Sequence, residues 1–140
     1  MLRIVILEEN YSKLNRIHTY LEKCIKENEL SACLPLTTRK ALSVEKYTEL
    51  HSIDCFYISM DATAYNPISL AKNIHQKNPK IQIIFLSEFS VVLEGIESNL
   101  EFNYQTQKID KILRFQEDLV QNFLSIYHSK FKKRIRLHNF

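Results

Sequence analysis

The chain has 140 residues, and 45% of them are hydrophobic, which is enough to fill the core of one domain. It contains no apolar run long enough to cross a membrane, and MLRIVILEEN reaches acidic residues too early for a signal peptide, so we expect a cytoplasmic protein. Five of the 19 basic residues lie in Lys130–Arg136, leaving 14 basic against 16 acidic side chains in residues 1–129, which argues against a general basic surface for nucleic acid.

The predicted strands and helices alternate along the chain. Continuous apolar runs rich in β-branched and aromatic residues predict strands that are buried on both faces. The predicted strands are Leu2–Leu7, Ala32–Thr37, Cys55–Met60, Ile81–Leu86 and Glu101–Tyr104. Apolar residues at helical spacing predict helices around Tyr11–Ile25 (capped by Asn10 or Ser12), Ala41–Glu49, Ile68–His75, Val91–Ile96, and from Ile109 onward. This order predicts an α/β fold with a five-stranded parallel sheet, doubly wound in the flavodoxin-like order 2-1-3-4-5.

Two apolar stripes lie side by side on the extended C-terminal helix. The first consists of Ile109, Ile112, Leu113, Val120, Phe123, Leu124, Tyr127 and Phe131, and the second of Phe115, Leu119 and Ile126. Such a wide face fits either a broad contact with the sheet or a contact with another helix, most simply in a homodimer.

Several kinds of site are disfavoured by composition. Gly95 is the single glycine, so the chain has neither a GxGxxG motif nor a Walker phosphate loop. Cys24, Cys33 and Cys55 form no CxxC pair and the five histidines lack ligand spacing, so we expect plain buried thiols and no zinc site. No nucleophile is accompanied by a base, and we therefore expect no enzyme.

Polar residues follow the predicted strands where each strand ends. They are Glu8, Glu9, Ser59, Asp61, Ser87 and Gln105. Because the carboxyl ends of parallel strands meet at one edge of a sheet, we expect these side chains to converge in a shallow pocket.

At these residues the chain resembles the receiver domains of response regulators, and most closely the quorum-sensing and competence class, usually followed by a LytTR DNA-binding domain. The similar segments are VILEEN (5–10), CFYISMD (55–61), NPKIQIIFLS (78–87) and SNLEF (98–102). The resemblance covers residues 1–127, which we expect to form a receiver-like domain, with residues 128–140 as a basic helical extension.

The resemblance implies a site that is degenerate at the phosphoacceptor. In that family an acidic pair and an acceptor aspartate hold Mg²⁺, the aspartate attacks a phosphoryl group, and a hydroxyl and a lysine bind the phosphoryl oxygens. Here Glu8 and Glu9 match the acidic pair and Ser87 matches the hydroxyl. Ser59 stands at the acceptor position and Gln105 at the lysine position.

These replacements predict impaired phosphorylation. A serine hydroxyl needs a base to become a nucleophile, and losing a carboxylate weakens Mg²⁺ binding, so no cofactor is required and Mg²⁺ binding should be weak or absent. Glutamine removes the charge that would attract a phosphoryl group. Asp61 is either a substitute acceptor or a surface turn carboxylate. We therefore expect an atypical receiver in two-component signalling or transcription regulation that acts through a protein partner or a homodimer, with its DNA-binding domain absent from this chain or never present.

An alternative function is nucleic-acid binding through the basic C-terminal helix. The residues that would contact phosphates are Lys130, Lys132, Lys133, Arg134 and Arg136. The same charge run also fits a solvated helix end, where cations suit the helix dipole.

Overall fold

One parallel sheet of five strands forms the centre of the fold. The computed structural model describes residues 1–96, 100–109 and 113–138, with the backbone alone at residues 113, 114 and 132–138. The strands are β1 (Leu2–Leu7), β2 (Ala32–Thr38), β3 (Cys55–Ser59), β4 (Gln82–Ser87) and β5 (Tyr104–Lys108). Their order is β2-β1-β3-β4-β5 and every pair is parallel, which confirms the predicted architecture.

The fifth strand differs from the prediction, because β5 begins at Tyr104, where the predicted strand ended. Its sequence, YQTQK, contains no apolar run. As an edge strand, β5 pairs with β4 alone and is partly exposed. Its residues therefore need not be continuously apolar, and an apolar run does not mark its position in the sequence.

In the part of the chain that the structure describes, five helices connect and follow the strands. They are α1 (Tyr11–Glu27), α2 (Ala41–Leu50), α3 (Pro67–Lys77), α4 (Ser90–Glu94) and α5 (Leu113–His138). The Asn10 side chain accepts a hydrogen bond from the Lys13 amide at 3.0 Å, so Asn10 caps α1. Ile109 lies before α5 instead of within it, and Ile112 falls outside the described residues. Within the described ranges, no helix combines the length and apolarity needed to cross a membrane.

The sheet is covered on both faces, and successive strand residues belong to opposite layers. Ile4 and Ile6 pack in the layer of α1 and α5, whereas Val5 and Leu7 pack with α2 and α3. This alternation follows from the two-residue period of a strand. Both layers are apolar, which explains why the central strands read as continuous hydrophobic runs.

The side of α5 that faces the sheet consists of the second predicted stripe together with one residue, Phe123, of the first stripe. Phe115, Leu119, Phe123 and Ile126 are buried against the sheet. Val120 and Leu124, which belong to the first stripe, are half-buried. The residues that face the sheet therefore come from both predicted stripes, and the wide apolar face does make a contact with the sheet.

The later part of α5 still contacts its own domain. The Ser31 amide donates a hydrogen bond of 3.0 Å to the Tyr127 hydroxyl, and the Lys130 ammonium forms an ion pair with Asp54. Both contacts lie at the amino edge of the sheet, just before β2 and β3. The helix continues without a break across the predicted boundary at residues 127 and 128.

Candidate functional site

The strand ends bring five of the six predicted site residues together at the carboxyl edge of the sheet. Leu7 pairs with Ile58, so Glu8 and Ser59 follow as neighbours on adjacent strands. Beside β3, Ser87 ends β4. The loops that leave β1 and β3 carry the other two predicted residues, Glu9 and Asp61.

Glu8 is a buried carboxylate with one oxygen that lacks a donor. Its Oε1 accepts a hydrogen bond of 3.1 Å from the Asn10 amide, whereas Oε2 has no hydrogen-bond partner among the described residues. Burial raises the pKa of Glu8, and the Asn10 amide, the nearby Ser59 hydroxyl and the Lys13 ammonium only partly oppose this effect. The fold therefore disfavours the ionised form of this side chain.

Glu9, by contrast, is fully engaged with the loop that follows β3. Its Oε2 accepts a hydrogen bond of 2.7 Å from the Thr63 amide, and its Oε1 accepts one of 3.0 Å from the Thr63 hydroxyl. These two bonds lower the pKa of Glu9. The two neighbouring glutamates thus have different surroundings, and Glu9 connects the β1–α1 loop to the β3–α3 loop.

Ser59 lies at the floor of the site. Its side chain is 0% exposed, and its Oγ accepts a hydrogen bond of 3.2 Å from the Asp61 amide. A neutral hydroxyl at the end of β3 can be buried here because it has a donor and is close to the Glu8 carboxylate.

Asp61 bridges two loops and is therefore more than a solvated turn carboxylate, which was one of its two interpretations. Its Oδ1 accepts a hydrogen bond of 2.6 Å from the Ser87 hydroxyl, and its Oδ2 accepts one of 2.9 Å from the Glu88 amide. The Phe89 amide in turn donates to the Ser87 oxygen at 3.0 Å. The Asp61 carboxylate is therefore held by donors from the β4–α4 segment.

Gln105 does not reach this edge, and its predicted placement is wrong. It pairs with Ile84 inside the sheet, and its side chain accepts a hydrogen bond from Asn122 of α5. Ser87 instead pairs with Lys108, the last residue of β5. The misplacement arose because the polar strand β5 gave no apolar run with which to fix its register.

Three residues at the site were missed by sequence reasoning. Lys108 lies opposite Ser87, while Lys13 of α1 forms an ion pair of 3.2 Å with Glu88. A signal for Lys108 was available, because no lysine or arginine occurs between Ser87 and Lys108. Lys13 and Glu88 had no comparable signal, since each is one charged residue among many on a helix or loop.

The carboxylates as arranged do not fit a Mg²⁺ site. Glu9 directs both oxygens at Thr63, and Asp61 directs both at the β4–α4 segment. Of the oxygens of these three carboxylates, the Oε2 atom of Glu8 has no hydrogen-bond partner among the described residues. In the described part of the chain, no three histidine, cysteine, aspartate or glutamate side chains gather as a metal cluster. Mg²⁺ is usually held by one or two carboxylates together with several waters, and here the oxygens of Glu9 and Asp61 would have to leave their protein donors to bind it.

The basic helix end offers fewer free charges than its sequence suggests. Lys130 is half-buried and paired with Asp54. The side chains of Lys132, Lys133, Arg134 and Arg136 lie outside the described residues. The three cysteines are free, with Cys24 and Cys55 buried and Cys33 half-buried.

No protein-family model and no curated protein matches the chain. Solved structures do. A signal receiver domain of an HD domain-containing protein from Pseudomonas fluorescens Pf-5 superposes with a TM-score of 0.71 at 15% identity, over 96% of this chain and 93% of that one. The fold is that of a receiver domain.

Two further solved structures match nearly all of this chain but cover different shares of their own chains. A two component transcriptional regulator AraC from Clostridium phytofermentans ISDg matches with a TM-score of 0.72 at 14% identity, over 97% of this chain and 99% of that one. The response regulator PhyR from Brucella abortus matches with a TM-score of 0.68 at 15% identity, over 98% of this chain and 52% of that one. The match covers nearly all of the first solved chain and about half of the second.

Proposed function

We propose that this chain is an atypical receiver: a signalling module of the two-component type that works without aspartyl phosphorylation. The observation that carries the proposal is Ser59, a fully buried hydroxyl at the end of β3 and beside Glu8. In the receiver family this is the position of the acceptor aspartate, so the resemblance and the geometry concern the same residue.

Ser59 is poorly suited to attack a phosphoryl group for two reasons. A serine hydroxyl is neutral and needs a base to remove its proton, whereas a carboxylate is already an anion at neutral pH. The side chain is also inaccessible to solvent and already accepts a hydrogen bond from the Asp61 amide. Asp61 is no ready substitute, because both of its oxygens are occupied by donors.

The degeneracy lies at the acceptor and does not extend to the lysine. Lys108 is exposed and pairs with Ser87, which supports Lys108 rather than Gln105 as the residue at the lysine position. A hydroxyl and a cation therefore remain at this edge while the nucleophile and the metal-binding set are lost. Such a site has no group to which a phosphoryl group can readily be transferred.

Without a phosphorylation step, the module acts through a surface that stays in one state. Its action is protein interaction or homodimerisation in the cytoplasm, with no catalysis of its own, as an input to transcription regulation of the quorum-sensing and competence type. In this proposal residues 1–127 are the signalling unit and residues 128–140 are a basic extension, with α5 anchored at Lys130 by Asp54. The chain is either the N-terminal part of a transcription regulator that carries a DNA-binding domain or a free-standing protein.

Light scattering at several protein concentrations, with and without acetyl phosphate and Mg²⁺, tests this proposal. The molar mass should be the same in both conditions at every concentration. The Ser59→Asp variant is the comparison that supplies a carboxylate at the acceptor position. A molar mass of the unmodified chain that changes with the phosphodonor would contradict the proposal. Repeating the series on a chain ended after Phe131 shows whether the projecting helix end forms a dimer contact.

A further inference from the structure

The Asp61 carboxylate joins its own β3–α3 loop to the β4–α4 segment. The Ser87 hydroxyl and the Glu88 amide donate to its two oxygens at 2.6 and 2.9 Å, and its own backbone amide donates to Ser59. Hydrogen bonds to an ionised carboxylate are shorter and stronger than neutral ones, and the 2.6 Å contact has the length expected of that class.

These contacts continue into α4. The Phe89 amide donates to the Ser87 oxygen, so the hydroxyl accepts from one group while it donates to Asp61. Donors in series polarise one another and strengthen the whole chain of bonds. From the other side, Lys13 binds the Glu88 carboxylate. The β4–α4 segment is therefore held by an anion within the sheet edge and by a cation on α1.

We propose that Asp61 is a built-in anion that holds the β4–α4 segment in one state without any phosphoryl group. This inference rests on the proposed function, because the Asp61 carboxylate supplies the negative charge that a phosphorylated acceptor would otherwise supply. The Ser87 hydroxyl and the Glu88 amide are the donors that an incoming oxyanion would need, and Asp61 already saturates both. The segment is thereby insensitive to phosphate, and its state is set by the sequence.

Amide hydrogen exchange of the full chain, followed by NMR, tests this role. In Asp61→Ala the Glu88 and Phe89 amides should exchange about ten- to a hundredfold faster, which is the effect of losing a charged hydrogen-bond acceptor at a locally opening segment. In Ser87→Ala only the Phe89 amide should exchange faster, because Glu88 still donates to Asp61. Glu49→Gln, an exposed carboxylate on α2, is the control and should change neither amide.

The core amides of β3 and β4 report whether each variant keeps its fold. If Asp61→Ala does not fold, the isosteric Asp61→Asn variant and the Ser87→Ala pattern provide the same test. Unchanged exchange of Glu88 and Phe89 in a folded Asp61 variant would overturn this inference while leaving the proposed function intact. A phosphodonor adduct on the unmodified chain would overturn the proposed function and leave the exchange pattern as a separate result. Inorganic phosphate should not shift the Glu88 and Phe89 resonances of the unmodified chain, and a shift would also overturn the inference.

Discussion

The Ser59 hydroxyl and the Glu8 carboxylate lie side by side where β1 and β3 end, both almost completely buried. A second carboxylate at position 59 would place two like charges in this buried space, and their repulsion would require a cation. The hydroxyl avoids that requirement. The neutral acceptor position and the lack of a fitting Mg²⁺ site are therefore two aspects of the same arrangement.

Replacing Glu8 by glutamine should stabilise the protein at neutral pH. Because burial raises the pKa of Glu8 above its ordinary value of 4.5, its contribution to stability is present below that value and is lost as the pH rises through the folded-state pKa. Glu8→Gln should therefore have a higher free energy of unfolding at about pH 7, and the gain should disappear at about pH 4. Urea denaturation at both pH values measures this, with exposed Glu49→Gln as control. A gain independent of pH would contradict the assignment.

The two stripes of α5 should differ in their contribution to stability. Leu119 is completely buried against the sheet, whereas Leu124 is half-buried. Leu119→Ala should lower the free energy of unfolding by about 2 to 5 kcal/mol, and Leu124→Ala by about 1 kcal/mol or less. Denaturant unfolding of the two matched variants measures the difference. Equal losses would mean that α5 lies differently on the sheet.

The central strands could be predicted from sequence because each lies between two apolar layers. That burial imposes an uninterrupted hydrophobic run, as in CFYIS of β3. Edge strand β5 and the rotation of α5 could not be predicted in the same way. For β5 the polar sequence leaves the register open, and for α5 both stripes are apolar, so only the packed structure decides which residues face the sheet.

The ion pair between Lys130 and Asp54 should contribute measurably to the anchoring of α5. Asp54 also accepts a hydrogen bond of 2.8 Å from the Arg3 amide, so it is fixed before Lys130 approaches. A double-mutant cycle with Asp54→Ala and Lys130→Ala should give a coupling energy of about 0.5 to 1 kcal/mol, reduced by salt. Denaturant unfolding of all four proteins measures it. Additive effects would show that the helix end is not anchored there.

Glycine at position 29 should stabilise the turn after α1. Glu29 has a φ of 50°, in the left-handed region that disfavours side chains. Glu29→Gly should therefore raise the free energy of unfolding by about 0.5 to 1 kcal/mol. Lys23→Gly, in the middle of the same helix, should lower it by about 1 kcal/mol. Thermal unfolding compares the two, and a loss of stability in Glu29→Gly would contradict the backbone assignment.

At the site, the sequence predicts which polar residues lie at the strand ends, but it does not predict which groups the carboxylates accept hydrogen bonds from. The convergence of Glu8, Ser59 and Ser87 follows from parallel strands ending at one edge. The bridge from Asp61 to the β4–α4 segment depends on the path of an irregular loop, for which the sequence holds no periodic signal. Lys108 could have been predicted, because no other lysine or arginine occurs between Ser87 and Lys108.

Intact-mass measurement of the full chain after incubation with acetyl phosphate and Mg²⁺ tests most directly whether position 59 can accept a phosphoryl group. The account predicts an unchanged mass, since the Ser59 hydroxyl is neutral, buried and already hydrogen-bonded. A mass increase of one phosphoryl group that disappears in Ser59→Ala or in Asp61→Ala would contradict it and would identify the acceptor.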